Sequence, residues 1–245
     1  MIETEINSYL HRTGFALLSP KAVLFDMDGV CYDSMPYHAV AWQQAMAHFG
    51  LTMTAEDAYA TEGARGIDTV RDLVRRQRNE EIGMEQAQTM YDLKSKIFHS
   101  MRPLPPVMPG VSALMAQMRS CGLSIGIVTG SGQRPLIARL LHDFCDYVSE
   151  EHVVTAYDVE HGKPAPDPYL TGLQKMGGLK PWEALVVENA PLGVAAGVAA
   201  QCFTIAVNTG PLPDEELLRH GADCLFSSMP ALSNSWKNIS ACLGL

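Results

Sequence analysis

The chain has 245 residues, 47% hydrophobic and 18% charged, which excludes a disordered chain and suits one large α/β domain or a core domain with a smaller partner. Its 18 basic against 27 acidic residues leave a net charge of −9. That excludes nucleic acid as the main partner, because a phosphate backbone needs a basic face.

Glu3, Glu5, Asn7 and Arg12 interrupt the opening residues, so neither a signal peptide nor a membrane segment is expected there. Residues 21–26 (KAVLFD) then read as a buried strand, and 123–129 (LSIGIVT), 184–188 (ALVVE) and 202–207 (CFTIAV) repeat the pattern. The first three lead into helical sequence, which implies a parallel sheet covered on both faces. Between the first two strands, residues 34–101 read as helix throughout. Ser34 is placed to cap a helix with Pro36 in its first turn, and Ala39, Trp42, Met46 and Phe49 form a stripe ending at Gly50. Further helices are predicted over 54–59, 67–78 and 84–101, and the proline-rich loop 102–110 returns the chain to the α/β pattern. The expected organisation is a core of residues 1–33 and 103–245 with an all-helical cap of residues 34–102. Residues 193–207, the longest weakly polar stretch, read as a buried helix and strand and not as a membrane span. The six cysteines (Cys31, Cys121, Cys145, Cys202, Cys224, Cys242) contain no CxxC and are read as reduced, mostly core thiols of a cytoplasmic protein.

Ligands of open parallel sheets bind beyond the carboxyl ends of the strands. The first strand ends in Asp26-Met27-Asp28-Gly29, two carboxylates able to act as nucleophile and acid/base, though DxDG is equally ordinary turn punctuation. The second ends in Thr129-Gly130-Ser131-Gly132, a hydroxyl with glycine-exposed N–H groups that suits an oxyanion or a plain turn. Lys163, between Gly162 and Pro164, is either a fixed positive charge or a solvated loop lysine. His161 beside it reads as surface. The third strand ends in Glu188-Asn189, hard oxygen donors suited to Mg²⁺, with Asn189 also placed to cap the helix that Pro191 starts.

Together VLFDMDGV, GIVTGS, HGKPAPDPYL and VVENAPLGVAAG resemble the four motifs of the haloacid dehalogenase superfamily over essentially the whole chain after Pro20. The short linker and helical insert are similar to the β-phosphoglucomutase-like branch with a small cap. MPYH, TEGARG, VTGSGQ and VENAPLGV look closer still to bacterial inorganic pyrophosphatases of that branch. The resemblance implies a doubly wound Rossmann-like core. It implies Asp26 as the nucleophile and Asp28 as the acid/base, with the Asp28 carbonyl on Mg²⁺. Thr129, Gly130 and Ser131 would hold phosphoryl oxygens, Lys163 would bridge to Asp26, and Glu188 and Asn189 would complete the metal site. The intact second acid argues against dehalogenation.

Many relatives carry Asp where this chain has Asn189. A Glu62 brought in by cap closure would restore the missing charge and reach the Mg²⁺ shell; Arg65, His38 and Lys94 are further cap candidates, and Trp42 reads as core. The function expected is a Mg²⁺-dependent phosphohydrolase acting on a small phosphorylated metabolite or pyrophosphate. The alternative is a β-phosphoglucomutase-type isomerase; the assembly expected is a monomer or weak homodimer.

Overall fold

The computed structural model describes residues 2–245. Six parallel strands, β1 (Ala22–Phe25), β2 (Ser124–Val128), β3 (Val153–Val154), β4 (Ala184–Glu188), β5 (Phe203–Val207) and β6 (Cys224–Phe226), form one sheet. Their order is β3-β2-β1-β4-β5-β6, which places the topological switch point between β1 and β4. The anticipated strands are present. Sequence reading missed β3 and β6, which are too short to carry a recognisable run.

Alternation along each strand sorts side chains onto two apolar faces. Val23, Phe25, Ile125, Ile127, Leu185, Val187, Phe203 and Ile205 join one core cluster. Its helices include α6 (Val111–Ser120) and α11 (Met229–Leu243), which bring Met115 and Trp236. Leu24, Val128 and Val186 point the other way. There they meet α8 (Asp167–Lys175) and α9 (Pro191–Ala199) through Tyr169, Leu173 and Ala196. Both faces are apolar, as a sheet covered on two sides requires.

Between β1 and α6 the chain forms α2 (Met35–His48), α3 (Ala55–Ala60), α4 (Gly66–Arg78) and α5 (Met84–Ser100). These helices enclose a cluster of their own, with Trp42, Met46, Leu73, Val74 and Met90. Thr54 lies outside α3, where it caps the helix in a reciprocal box with Asp57. Ser34 stands at the N-cap of α2, but its hydroxyl does not cap the helix.

The sequence also missed α1 (Ile2–Thr13). Its Ile6 and Leu10 pack on the core, and the buried Tyr9 donates its hydroxyl to the Gln201 carbonyl at 3.0 Å. Arg12 pairs with Asp223 at 2.7 Å, and Phe15 meets Trp182. Cys31, Cys202 and Cys224 are buried, but Cys145 and Cys242 are exposed, so the thiols are less uniformly core than expected. Among the described residues no helix is long and apolar enough to cross a membrane.

The anchoring of α1 is open to a simple test. Tyr9→Phe keeps the ring but leaves the Gln201 carbonyl without its partner, and should cost about 1 kcal/mol of stability. Urea denaturation should show a lower midpoint at an unchanged slope.

Candidate active site

The register of the sheet builds the floor of the site. Phe25 lies opposite Val187, and the Asp26 N–H donates to the Val187 carbonyl at 3.0 Å. Asp26 and Glu188 therefore leave adjacent strand ends together. The loop after β3 lays Lys163 between them. Its ammonium donates to Asp26 Oδ1 at 2.5 Å, Glu188 Oε1 at 2.6 Å and the Val128 carbonyl at 3.0 Å. All three side chains are buried. Burial would lower the Lys163 pKa, but Asp26 and Glu188 hold it above its ordinary value. Lys163 is thus a fixed charge and not a solvated loop residue.

Glu188 is held from every side. Tyr169 donates its hydroxyl to Oε1 at 2.6 Å, while Oε2 accepts the N–H groups of Asn189 at 3.0 Å and Ala190 at 3.3 Å. A carboxylate therefore sits at the start of α9, the favourable charge at a helix N-terminus. This corrects the capping role expected of Asn189. The N-cap residue is Ala190, and the Asn189 amide turns instead to Glu62, donating from Nδ2 to Oε1 at 2.7 Å. Gly193 lets the backbone of α9 approach: a Cβ there would stand 1.9 Å from Glu188 Oε1.

Asp28 has a different environment. Gly29, at φ +79°, makes the turn after it. Ser34 donates its hydroxyl to Asp28 Oδ1 at 2.6 Å, so Ser34 serves this carboxylate and not the helix cap. His38 Nε2 lies 3.0 Å from the same oxygen, and Lys94 Nζ lies 2.6 Å from His38 Nδ1. Burial and the neighbouring Lys94 lower the His38 pKa, so the ring is neutral. It then accepts from Lys94 at Nδ1 and donates to Asp28 from Nε2. Burial would raise the Asp28 pKa, yet His38, Ser34 and Lys94 together hold it at about 2. Lys94, buried against the rings of Trp42, Phe98 and Tyr91, is lowered by that burial to about 8.

Thr129 and Ser131 shape the loop after β2. Thr129 Oγ1 accepts the Ser131 N–H at 3.0 Å, and Ser131 Oγ accepts the Gln133 N–H at 3.2 Å. The Gln133 side chain donates to the Tyr91 hydroxyl across to α5 at 3.1 Å. Gly130 abuts the Gly63 and Ala64 carbonyls of the helical insert. The cavity, about 60 Å³, is lined by Asp26, Asp28, His38, Glu62, Lys94, Thr129, Gly130 and Ser131, with Trp42 and Tyr91 beside them.

Glu62 is buried and faces the site. Burial, then Asp26, Glu188 and Asp28, push its carboxyl well above the usual range. Arg65 does not line the cavity. It pairs with Asp68 at 2.7 and 3.2 Å, and its stem lies against Gly162. His161 is exposed and pairs with Asp167. Sequence reading missed Tyr169, Gln133 and Tyr91; Tyr169, inside HGKPAPDPYL, and Gln133, at the end of VTGSGQ, lay within motifs, whereas Tyr91 carried no signal.

The family profile of haloacid dehalogenase-like hydrolases matches residues 20–201. Hexitol phosphatase A of Escherichia coli K12 is 34% identical over 207 residues, covering 83% of this chain and 92% of that protein. Beta-phosphoglucomutase of Bacillus subtilis 168 is 28% identical over 78% of this chain and 84% of its own length. A solved structure titled "Putative beta-phosphoglucomutase from Bacteroides vulgatus" superimposes with a TM-score of 0.95 at 46% identity, over 100% of this chain and 98% of that one. The chain belongs to the haloacid dehalogenase-like hydrolases, and it is an enzyme of the phosphatase kind.

The tight seat of Glu188 is testable. Gly193→Ala forces a methyl group onto the carboxylate, and such overpacking should cost about 1–3 kcal/mol. Thermal denaturation should show the loss, and activity should fall with it as Glu188 is displaced from Lys163.

Proposed function

We propose that the chain is a Mg²⁺-dependent phosphohydrolase that works through an aspartyl phosphate on Asp26, with inorganic pyrophosphate as the substrate. One observation carries the substrate reading: the cavity is small and a single cation, Lys94, lines it. Its volume is about 60 Å³. Lys94 is the only lysine or arginine in its lining. A compact anionic leaving group suits that ammonium, and a hexose would need the helical insert, residues 34–102, to open as a cap over the core.

The donor set fits a hard cation. Asn189 Oδ1 is buried without a hydrogen-bond partner. Burial and the neighbouring carboxylates of Glu188 and Asp28 raise the Asp26 pKa despite Lys163, so more positive charge is called for where the acids converge. Among the described residues no group of three His, Cys, Asp or Glu side chains forms a ready metal cage. The proposed ligands are mixed: Asp26, the Asp28 carbonyl, Asn189 Oδ1 and Glu62, with Glu188 behind them. Mg²⁺ bound there would neutralise charge on the nucleophile and the phosphoryl oxygens.

The chain's own residues supply the rest. Lys163 orients Asp26 and screens it from Glu188, so that the free carboxylate oxygen faces the phosphorus. Thr129 and the N–H groups after it hold the phosphoryl oxygens, which is where phosphoryl transfer gains most. Asp28 gives the leaving oxygen its proton and then takes one from water. The ionised Asp28 favoured by Ser34, His38 and Lys94 is the form that activates water; an arriving anionic substrate raises its pKa toward the acid form. His38, by touching Asp28, ties this chemistry to closure of the insert.

A sugar-phosphate reading is favoured by the relatives named hexitol phosphatase and beta-phosphoglucomutase. Phosphate release with Mg²⁺ on pyrophosphate and hexitol phosphates, with β-glucose 1-phosphate isomerisation alongside, separates the two. Pyrophosphate should lead in kcat/KM by about tenfold or more, a difference of ~1.4 kcal/mol. A lead for a sugar phosphate would replace this reading. Asp26→Asn should lower turnover by about three orders of magnitude or more while folding persists. Lys94 is protonated below its pKa of about 8 and neutral above it. Pyrophosphate hydrolysis should therefore decline as pH rises through about 8, and Lys94→Met should abolish that alkaline limb.

A further inference from the structure

The two linkers that enter and leave the helical insert are joined to each other. Asp33 N–H donates to the Pro106 carbonyl at 3.0 Å, and Met108 N–H donates to the Cys31 carbonyl at 2.9 Å. Tyr32 bridges Val107 in the antiparallel sense. The linkers thus form one short ribbon, and any swing of the insert must act through it.

One side-chain cluster grips this ribbon. It lies on α7 (Arg134–Asp143), the helix that starts directly after the phosphate-binding loop. Arg139 Nη2 donates to the Pro105 carbonyl of the second linker at 2.7 Å, and its Nε donates to Asp143 Oδ2 at 3.1 Å. The Tyr32 hydroxyl, from the first linker, donates to the same Asp143 oxygen at 2.9 Å. The guanidinium also lies over the Tyr32 ring, 4.5 Å from its centroid, and Phe144 meets that ring edge-on. A planar fork that both stacks and donates in two directions is specific to arginine. Tyr32 is buried, and Arg139 and Asp143 are each about three-quarters buried.

The grip reaches the chemistry through a short path. The Tyr32 carbonyl accepts the Gly29 N–H at 2.8 Å, and Tyr32 bridges Asp28. Ser34, two residues further on, holds Asp28 Oδ1. We infer that Arg139, with Asp143 and Tyr32, is a positioning residue: it fixes the linker ribbon to α7, so that Asp28 and Ser34 stand in register with the phosphate-binding loop at the other end of that helix. α7 is 10 residues long, a rod of about 15 Å with the phosphate loop at one end and the linkers at the other.

The inference rests on the proposed role of Asp28 as acid/base, and its test separates the two. Arg139→Met removes the fork at similar length, and Tyr32→Phe removes only the hydroxyl; the second variant serves if the first fails to fold. Hydrogen exchange, which needs no substrate, should be faster by about fivefold or more at the amides of residues 31–33, 107 and 108, with β1 and β4 unchanged. Two small substrates then report on Asp28. Methyl phosphate, with a poor leaving group, should lose about tenfold in kcat/KM, while acetyl phosphate, which needs little proton donation, should stay within about threefold. Arg139→Lys should restore only part of the loss. Unchanged linker exchange in both variants, or an equal loss on both substrates, would overturn the inference. An Asp28→Asn variant, with Arg139 and Tyr32 intact, whose loss is indifferent to the leaving group would instead overturn the acid/base reading, and the exchange measurement would still judge the grip on the linkers.

Discussion

The site depends on one buried ammonium. Lys163 sits between the carboxylates of Asp26 and Glu188 with almost no solvent contact, where two negative charges would otherwise not coexist. Breaking such a cluster by removing one partner is strongly destabilising, because the remaining charge is left buried without compensation. The geometry answers this with further hydrogen bonds: the Val128 carbonyl on the lysine, and Tyr169 and two N–H groups of the α9 start on Glu188. Each comes from a different element, so the sheet register, the loop after β3 and the approach of α9 must all be correct at once. Asp26 is oriented by the fold as a whole.

Above this floor the helical insert supplies groups of opposite character to two sides of the cavity. Glu62 adds a carboxylate beside Asn189, and Lys94 adds an ammonium behind His38. The acidic side is overcharged without a cation, which is visible in the raised pKa values of Asp26 and Glu62. The basic side pulls Asp28 down to about 2. Two carboxylates two residues apart are thereby driven in opposite directions, the arrangement by which neighbouring acids take different roles. The insert sets the Asp28 side of this division through His38, Ser34 and Lys94, whereas burial and the carboxylates of Glu188 and Asp28 raise Asp26.

Sequence reading erred where a side chain had two chemically reasonable partners. Ser34 and Asn189 both stand at helix starts and both have cap-forming side chains, so local rules assign them to the backbone. In the fold, Ser34 bonds Asp28 and Asn189 bonds Glu62, while the buried Glu188 accepts the N–H groups of Asn189 and Ala190 where α9 begins. Arg65 was read with Glu62 from one loop. Asp68, one turn along α4, claims its guanidinium, and only the carboxylate turns inward.

By itself the sequence determined the alternation of strands and helices, the helical insert, the strand-end motifs and the family. These depend on residue type and spacing along the chain, and buried strands and short turns write both plainly. Tertiary structure alone decided the strands too short to show a pattern, the docking of α1, the Asp28–His38–Lys94 chain and the grip of Arg139 on the linkers. Those contacts join residues far apart in sequence, such as Arg139 with the carbonyl of Pro105 and His38 with Lys94. No local propensity encodes such partners; they are set by how the packed layers meet.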